Sequence, residues 1–202
     1  MRIGILGGSF NPPHLGHLVM AQEALAQLGL DRVVLMPVSL PPHKQLEDDP
    51  GPEERFELCR LAVAKDERLA VSRLELDRGG PSYTVDTLRA IREERPDDEL
   101  VFVVGGDVAL GLEEWRDPEA VLELATLAVT EREEIRRAVI AERVASIRGT
   151  DRLAFFTMPR IDVSSSSIRG RVRERRPIRY LVPDEVTRLI GGRGYYRSRV
   201  SA

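Results

Sequence analysis

Residues 2–25 read RIGILGGSFNPPHLGHLVMAQEAL, and the fold follows from this stretch. Arg2 to Leu6 is a short apolar run ending at Gly7-Gly8. A polar, proline-stiffened loop follows (Ser9, Phe10, Asn11, Pro12, Pro13). His14-Leu15-Gly16-His17 then opens a run of helical period through Leu18, Ala21, Gln22, Leu25 and Leu28, with Gly29 just past its end. Strand, glycine turn and helix in that order make the first half of a βαβ unit. In open α/β sheets a ligand sits where a strand's C-terminal end meets the next helix.

The residue types of the loop point to an anion. Gly7 and Gly8 are expected to turn the backbone sharply and bring it close to a bulky ligand. Free N–H groups in the first helical turn, with the positive end of the helix dipole, favour phosphate. His14 and His17, three residues apart, share one face of the helix start, and Gly16 adds no side chain between them. No G-K-[ST] follows the glycines, so this is not a Walker loop.

With 202 residues the chain suits one α/β domain, residues 1–202, with a small C-terminal helical part at about 164–196. A formal net charge of −3 implies no broad basic surface, which speaks against nucleic acid and anionic membrane as partners. No apolar run reaches the length of a membrane span, and no signal-peptide pattern precedes the first strand, so a soluble cytoplasmic protein is expected. The single cysteine, Cys59, falls on the apolar side of a helix and reads as a buried, inert thiol. Lys44 and Lys65 are the only lysines; every other basic side chain is arginine.

Further along, Arg32 to Val38 is a second buried strand, and Ser39 to Pro52 is a Pro- and Asp-rich loop of the length typical of lids. It carries His43 and Lys44. In a chain that otherwise uses arginine, that lysine reads as a point charge for phosphate rather than a merely solvated one. Glu53 to Lys65 is helical, and Arg55 within it reads as an ordinary surface charge. Leu69 to Leu76 is a short alternating strand. Gly79-Gly80-Pro81 is a turn, and Ser82-Tyr83-Thr84 leads into a helix through Glu94, with Ser82 or Thr84 as its N-cap.

Glu99 to Val104 is nearly continuous in apolar residues, as in a parallel sheet covered on both faces. It ends in Gly105-Gly106-Asp107, where an acid accepts ribose hydroxyls. Ala125 to Thr130 and Leu153 to Thr157 are further strands, and Glu133 to Ile147 an amphipathic helix. Ser164, Ser165 and Ser166, with Arg169 one turn on, combine hydroxyls, helix-start N–H groups and a guanidinium fork into a triphosphate grip. A helix ends at Gly191-Gly192, and residues from Tyr195 onward read as frayed. The fold expected is a Rossmann-like, open, mainly parallel sheet with helices on both faces.

GGSFNPPHLGH resembles the H-x-G-H loop of the nucleotidyltransferase superfamily, in the form found in bacterial nicotinate-mononucleotide adenylyltransferases. Several other segments resemble the same family in the same order: P-S-Y-T-V-D-T-L, G-G-D followed by Trp115, I-D-V-S-S-S-S-I-R and the Pro177–Pro183 tail. The resemblance implies that AMP moves from ATP onto nicotinate mononucleotide, giving deamido-NAD and pyrophosphate in NAD biosynthesis, with Mg2+ accompanying ATP. It implies catalytic roles for His14, His17, Lys44 and Arg169. ATP would meet Gly7, Gly8, Ser9, Phe10, Gly16, Gly105, Asp107, Ser164, Ser165 and Ser166, with Arg132 near the adenine. The pyridine nucleotide would meet Ser82, Tyr83, Thr84 and His43, with Trp115 stacked on the ring. Glu133-Glu134 replace the family's Pro-Gly after Arg132, which puts the aim of that arginine in doubt. The R-T-x-G-I-S-T-T form of cytidylyltransferases is absent, which favours ATP over CTP. No protein metal ligands are expected, since His14 and His17 have no further His or Cys beside them. Alternatives are a nicotinamide-mononucleotide or phosphopantetheine adenylyltransferase and, in a different class, a nucleotide-sensing module without catalysis. A homo-oligomer is compatible with the sequence and not specified by it.

Overall fold

Six strands pair in parallel in the order β3-β2-β1-β4-β5-β6 in the computed structural model, which describes residues 1–42, 45–131 and 137–197. They are β1 (Arg2–Gly8), β2 (Arg32–Pro37), β3 (Leu69–Val71), β4 (Glu99–Gly105), β5 (Thr126–Glu131) and β6 (Leu153–Thr157). The expected open parallel sheet is therefore present, and every ladder among the described residues is parallel.

Strand periodicity sorts side chains onto two faces. Val101 and Val103 of β4 join Leu6, Val33, Leu35, Ala24 and Cys59 on the face covered by α1 (Leu15–Leu28) and α2 (Pro52–Val63). Leu100, Phe102 and Val104 join Ile5, Leu88, Leu122 and Ile140 on the other. That face is covered by α4 (Thr84–Glu94), α6 (Pro118–Leu124) and α7 (Arg137–Arg143). A third cluster, with Leu58, Ile168, Val186, Ile190 and Tyr196, packs α8 (Ser165–Arg173) and α9 (Asp184–Arg193) against α2. This is the C-terminal helical extension.

Four local expectations are corrected. The strand expected over Leu69–Leu76 stops at Val71, and residues 74–78 form a short helix, α3 (Leu74–Arg78), which ends at Gly79 with φ 69°. Leu74 and Leu76 alternate, but a five-residue run has too little length to separate period 2 from period 3.6. The helix expected over Glu133–Ile147 is described only as α7, which stops at Arg143. Tyr196 is not frayed: its ring is buried in the third cluster. α9 does not end at Gly191-Gly192 but runs through them to Arg193, and its C-cap is Gly194 in the left-handed region (φ 68°), where glycine carries no Cβ penalty.

Candidate active site

β1 and β4 lie side by side at the centre of the sheet, yet the chain leaves them in opposite directions, towards β2 and towards β5. The crevice that opens at their C-terminal ends is the natural ligand position of such a sheet. Residues 9–17, which follow β1, and 105–107, which close β4, both stand on this edge.

The two histidines are held as a unit. His14 is the N-cap of α1 and is buried, and its backbone N–H donates to Nδ1 of His17 at 3.1 Å. The rings lie 3.7 Å apart between centroids and 30° from parallel. Phe10 closes the other side of His17, edge-on at 5.0 Å. Burial, and then the neighbouring His14, push the pKa of His17 well below its usual 6.5. His17 is thus neutral at physiological pH. Because Nδ1 accepts, the proton sits on Nε2, which becomes a directed N–H donor. Gly16 makes this packing feasible, since a Cβ there would come 3.1 Å from His14 Nδ1.

The backbone behaves differently from expectation at two points. Gly7 and Gly8 do not make the turn: they finish β1, and the positive φ belongs to Phe10 at 46°. Their lack of side chains instead admits rings, because a Cβ on Gly7 would meet Phe102 at 3.0 Å and one on Gly8 would meet Phe10 at 3.1 Å. The N–H groups opening α1 are also less free than expected. Leu15 donates to the Leu181 carbonyl, and His17 and Leu18 donate to that of His14. What this helix start can offer an anion is therefore mainly the imidazoles and the helix dipole.

The serine run lies against the same loop. Ser165 Oγ donates to the Pro12 carbonyl at 2.8 Å, and Arg169 Nη1 donates to the Asn11 carbonyl at 3.0 Å. Ser164 and Ser167 form a reciprocal capping box. Ser166 Oγ accepts from Arg169 Nη2 at 3.3 Å. Two of the four hydroxyls thus serve the helix end itself, and Ser166 with Arg169 remains the group able to face a phosphate. The carboxylates of Glu47 and Asp48 approach Arg169 at 3.5 and 3.9 Å.

The opposite wall carries the remaining residues. Asp107 is exposed in the first turn of α5 (Gly106–Ala109), and a Cβ on Gly105 would lie 2.5 Å from its Oδ1. Gly105 is what lets that carboxylate fold back over the strand end. Trp115, half-buried, meets Phe102 at 5.9 Å and 88°, so one ring links Gly7 to the tryptophan. Thr84 is the first residue of α4, whose N-cap is Tyr83 and which has no side-chain cap. Neither Ser82 nor Thr84 fills the capping role expected of them. Ser82 is buried, and its Oγ accepts from the Ser39 N–H at 2.9 Å. Arg116 lies over the Tyr83 ring at 4.8 Å and pairs with Asp86 at 3.2 Å. Below this segment, Glu75 is buried and accepts from Thr87 Oγ1 at 2.7 Å.

His43, Lys44 and Arg132, with Glu133 and Glu134, lie outside the described residues. Among the described residues no three His, Cys, Asp or Glu side chains are grouped to hold a metal ion, and no helix is long and apolar enough to cross a membrane.

Arg55, expected as a surface charge, is instead fully buried. Its guanidinium donates to the carbonyls of Ser9 (3.0 Å), Val38 (2.7 Å) and Ser39 (3.1 Å) and to Asp49 Oδ1 (2.9 Å). Its only sequence signal is its place on the helix, one turn before Leu58-Cys59 on the buried side.

Comparison with known proteins adds to this geometry. The cytidylyltransferase-like family profile matches residues 5–171. A protein of Thermus thermophilus named "Probable nicotinate-nucleotide adenylyltransferase" is 44% identical, over 98% of this chain and 100% of its own. One of the same name from Rubrobacter xylanophilus is 37% identical, over 98% of this chain and 93% of its own. Among solved structures, the Plasmodium falciparum nicotinic acid mononucleotide adenylyltransferase complexed with NaAD superposes with a TM-score of 0.78 at 16% identity. It covers 96% of this chain and 97% of that one, and speaks for the fold.

Proposed function

The chain belongs to the bacterial nicotinate-nucleotide adenylyltransferases of the cytidylyltransferase-like family, and from that membership we propose that it moves the adenylyl group of ATP onto nicotinate mononucleotide in NAD biosynthesis. The observation that carries this reading within the molecule is the joining of two anion-binding helix starts. Arg169 and Ser165 of α8 hold the carbonyls of Asn11 and Pro12, immediately before the His14–His17 pair.

The phosphate of nicotinate mononucleotide attacks the α-phosphorus of ATP in line. The bond from that phosphorus to the bridging oxygen breaks, and pyrophosphate leaves with the electron pair. Nothing in this step needs a protein nucleophile; positioning and charge neutralisation carry it. The neutral Nε2–H of His17 and the His14 ring hold phosphate oxygens as charge builds on them. Arg169 and Ser166 hold the departing pyrophosphate, with Lys44 assigned to the same task by its place in the sequence. Asp107 accepts the ribose hydroxyls of the adenosine, and Arg132 is assigned to the adenine by the family pattern alone.

Trp115 stacks on the pyridine ring, for which an electron-rich indole suits an electron-poor partner. The uncapped start of α4 at Thr84 receives the nicotinate carboxylate, and the positive helix end favours that charge over a neutral amide. Magnesium enters as part of the substrate, MgATP, held by phosphate oxygens and water, and no residue of the chain is assigned to it.

Chromatography of a reaction of purified protein with MgATP and nicotinate mononucleotide tests the reading. Deamido-NAD and pyrophosphate should appear in equal amounts. Consumption of ATP without a dinucleotide product would overturn it.

A further inference from the structure

We infer that Arg55 is a positioning residue for adenylyl transfer: it fixes the phosphate loop against the segments just after β2 and before α2, so that their placement and the phosphate-site geometry are set together. The inference rests on the adenylyltransferase reading for its kinetic form but not for its structural basis.

Three segments meet on this one side chain. Ser9 belongs to the loop before the histidines, Val38 and Ser39 to the segment just after β2, and Asp49 to the segment that leads into α2. Arg55 sits one helical turn inside α2; Asp49 lies six residues before it, while the three carbonyls come from 16, 17 and 46 residues away. Only a planar, five-donor fork of fixed shape serves four acceptors in these directions; a lysine ammonium has three donors on a flexible stem. The side chain is fully buried, while its ionic partner Asp49 remains a quarter exposed. The guanidinium is thus anchored from inside and Asp49 is its link to the surface loop.

The bond to Ser9 has a direct consequence for the site. In a trans peptide the carbonyl of Ser9 and the N–H of Phe10 point in opposite directions. Holding the carbonyl on Arg55 therefore turns the Phe10 N–H to the other side of the chain. Phe10 has φ 46°, a conformation a bulky side chain adopts only under constraint. Its ring supports His17 at 5.0 Å. Releasing Ser9 would let Phe10 relax, and the His17 ring would lose one wall. A second tie runs in parallel, since Asn11 Nδ2 donates to the Glu47 carbonyl at 2.9 Å. The loop carrying Glu47 and Asp49 is therefore bonded at two points to the segment that holds the anion site.

The test compares wild type, Arg55→Lys and Arg55→Ala by turnover, by binding of a non-hydrolysable ATP analogue in calorimetry, and by melting temperature. All assays run well below the lowest melting temperature. Arg55→Lys should fold and yet lose about tenfold or more in kcat, with weaker analogue binding, as expected for misplaced reacting groups. Millimolar guanidinium should restore part of the turnover of Arg55→Ala, and methylammonium should not. A folded Arg55→Lys with wild-type kcat and analogue affinity would overturn the inference, as would Arg55→Ala with a lower melting temperature but unchanged turnover. Should Arg55→Ala fail to fold, Arg55→Lys decides alone. If wild type turned over no mononucleotide, the adenylyltransferase reading would fall, and analogue binding would still decide the role of Arg55.

Discussion

The backbone N–H of His14 donates to Nδ1 of His17, and that one bond decides which nitrogen of the neutral His17 ring carries the proton. A ring that accepts at Nδ1 and is neutral carries its proton at Nε2. The sequence H-x-G-H thus encodes more than two imidazoles on one face. The first supplies the backbone donor that sets the tautomer of the second, and Gly16 between them leaves room for both rings.

Replacing His17 with Ala removes a preorganised donor from the centre where charge develops. Turnover should fall by ~10²–10³-fold, the usual cost of losing such a group, with KM for nicotinate mononucleotide little changed. Steady-state kinetics beside a circular-dichroism spectrum would check this. A folded variant with near-normal turnover would contradict the role given to His17.

His17 also makes a prediction for pH. Its pKa is lower folded than unfolded, so between the folded pKa and 6.5 the unfolded chain binds more protons. Stability rises with pH through that window and is lost as pH falls below 6.5. Glu75 acts in the opposite sense, because burial raises its pKa above 4.5 and its contribution weakens as pH rises from there. Urea midpoints at several pH values should show a drop on acidification in wild type that is smaller in His17→Asn. Equal slopes in the two proteins would count against the buried, neutral ring.

Gly105 is a narrow test of the ribose assignment. Gly105→Ala places a Cβ 2.5 Å from Asp107 Oδ1 and must displace the carboxylate. KM for ATP should rise about tenfold while KM for the mononucleotide stays put, and Asp107→Asn should show the same pattern. An unchanged KM for ATP in both variants would remove Asp107 from the site.

Trp115 is half-buried and meets Phe102 at 88°, and its proposed role is to stack on the pyridine ring. Trp115→Ala should raise KM for the mononucleotide about tenfold or more, and Trp115→Phe by less, since stacking is worth on the order of 1–3 kcal/mol. The comparison of the two variants by initial rates separates loss of a platform from loss of the indole itself.

Much of this was legible from residue order. The β1–α1 unit and its Gly29 end follow from local signals, because their partners lie within a few residues, whereas Ser164, read from the sequence as part of a triphosphate grip, forms the capping box of α8 with Ser167. Arg55 was not legible. Its acceptors are carbonyls 16, 17 and 46 residues away, which only the sheet order brings together. The sequence expects Gly7 to turn the chain towards a ligand; instead it sits in β1, and the ring that its missing Cβ admits is Phe102 of β4, which no local signal reveals. The true partner of Ser82 is likewise distant in sequence. Its hydroxyl found the Ser39 N–H across the sheet edge, 43 residues away, before it could cap its own helix.

Adenylyl transfer to the acid mononucleotide is best tested by pyrophosphate release with MgATP on nicotinate mononucleotide, nicotinamide mononucleotide and phosphopantetheine, measured side by side in wild type and Thr84→Val. The expected result is a kcat/KM for the acid ~10²-fold or more above the amide, with no turnover of phosphopantetheine and a narrowed acid-to-amide ratio in Thr84→Val. Equal rates on acid and amide would contradict the carboxylate site at Thr84. No release with any of the three would mean that the site binds a nucleotide without transferring it.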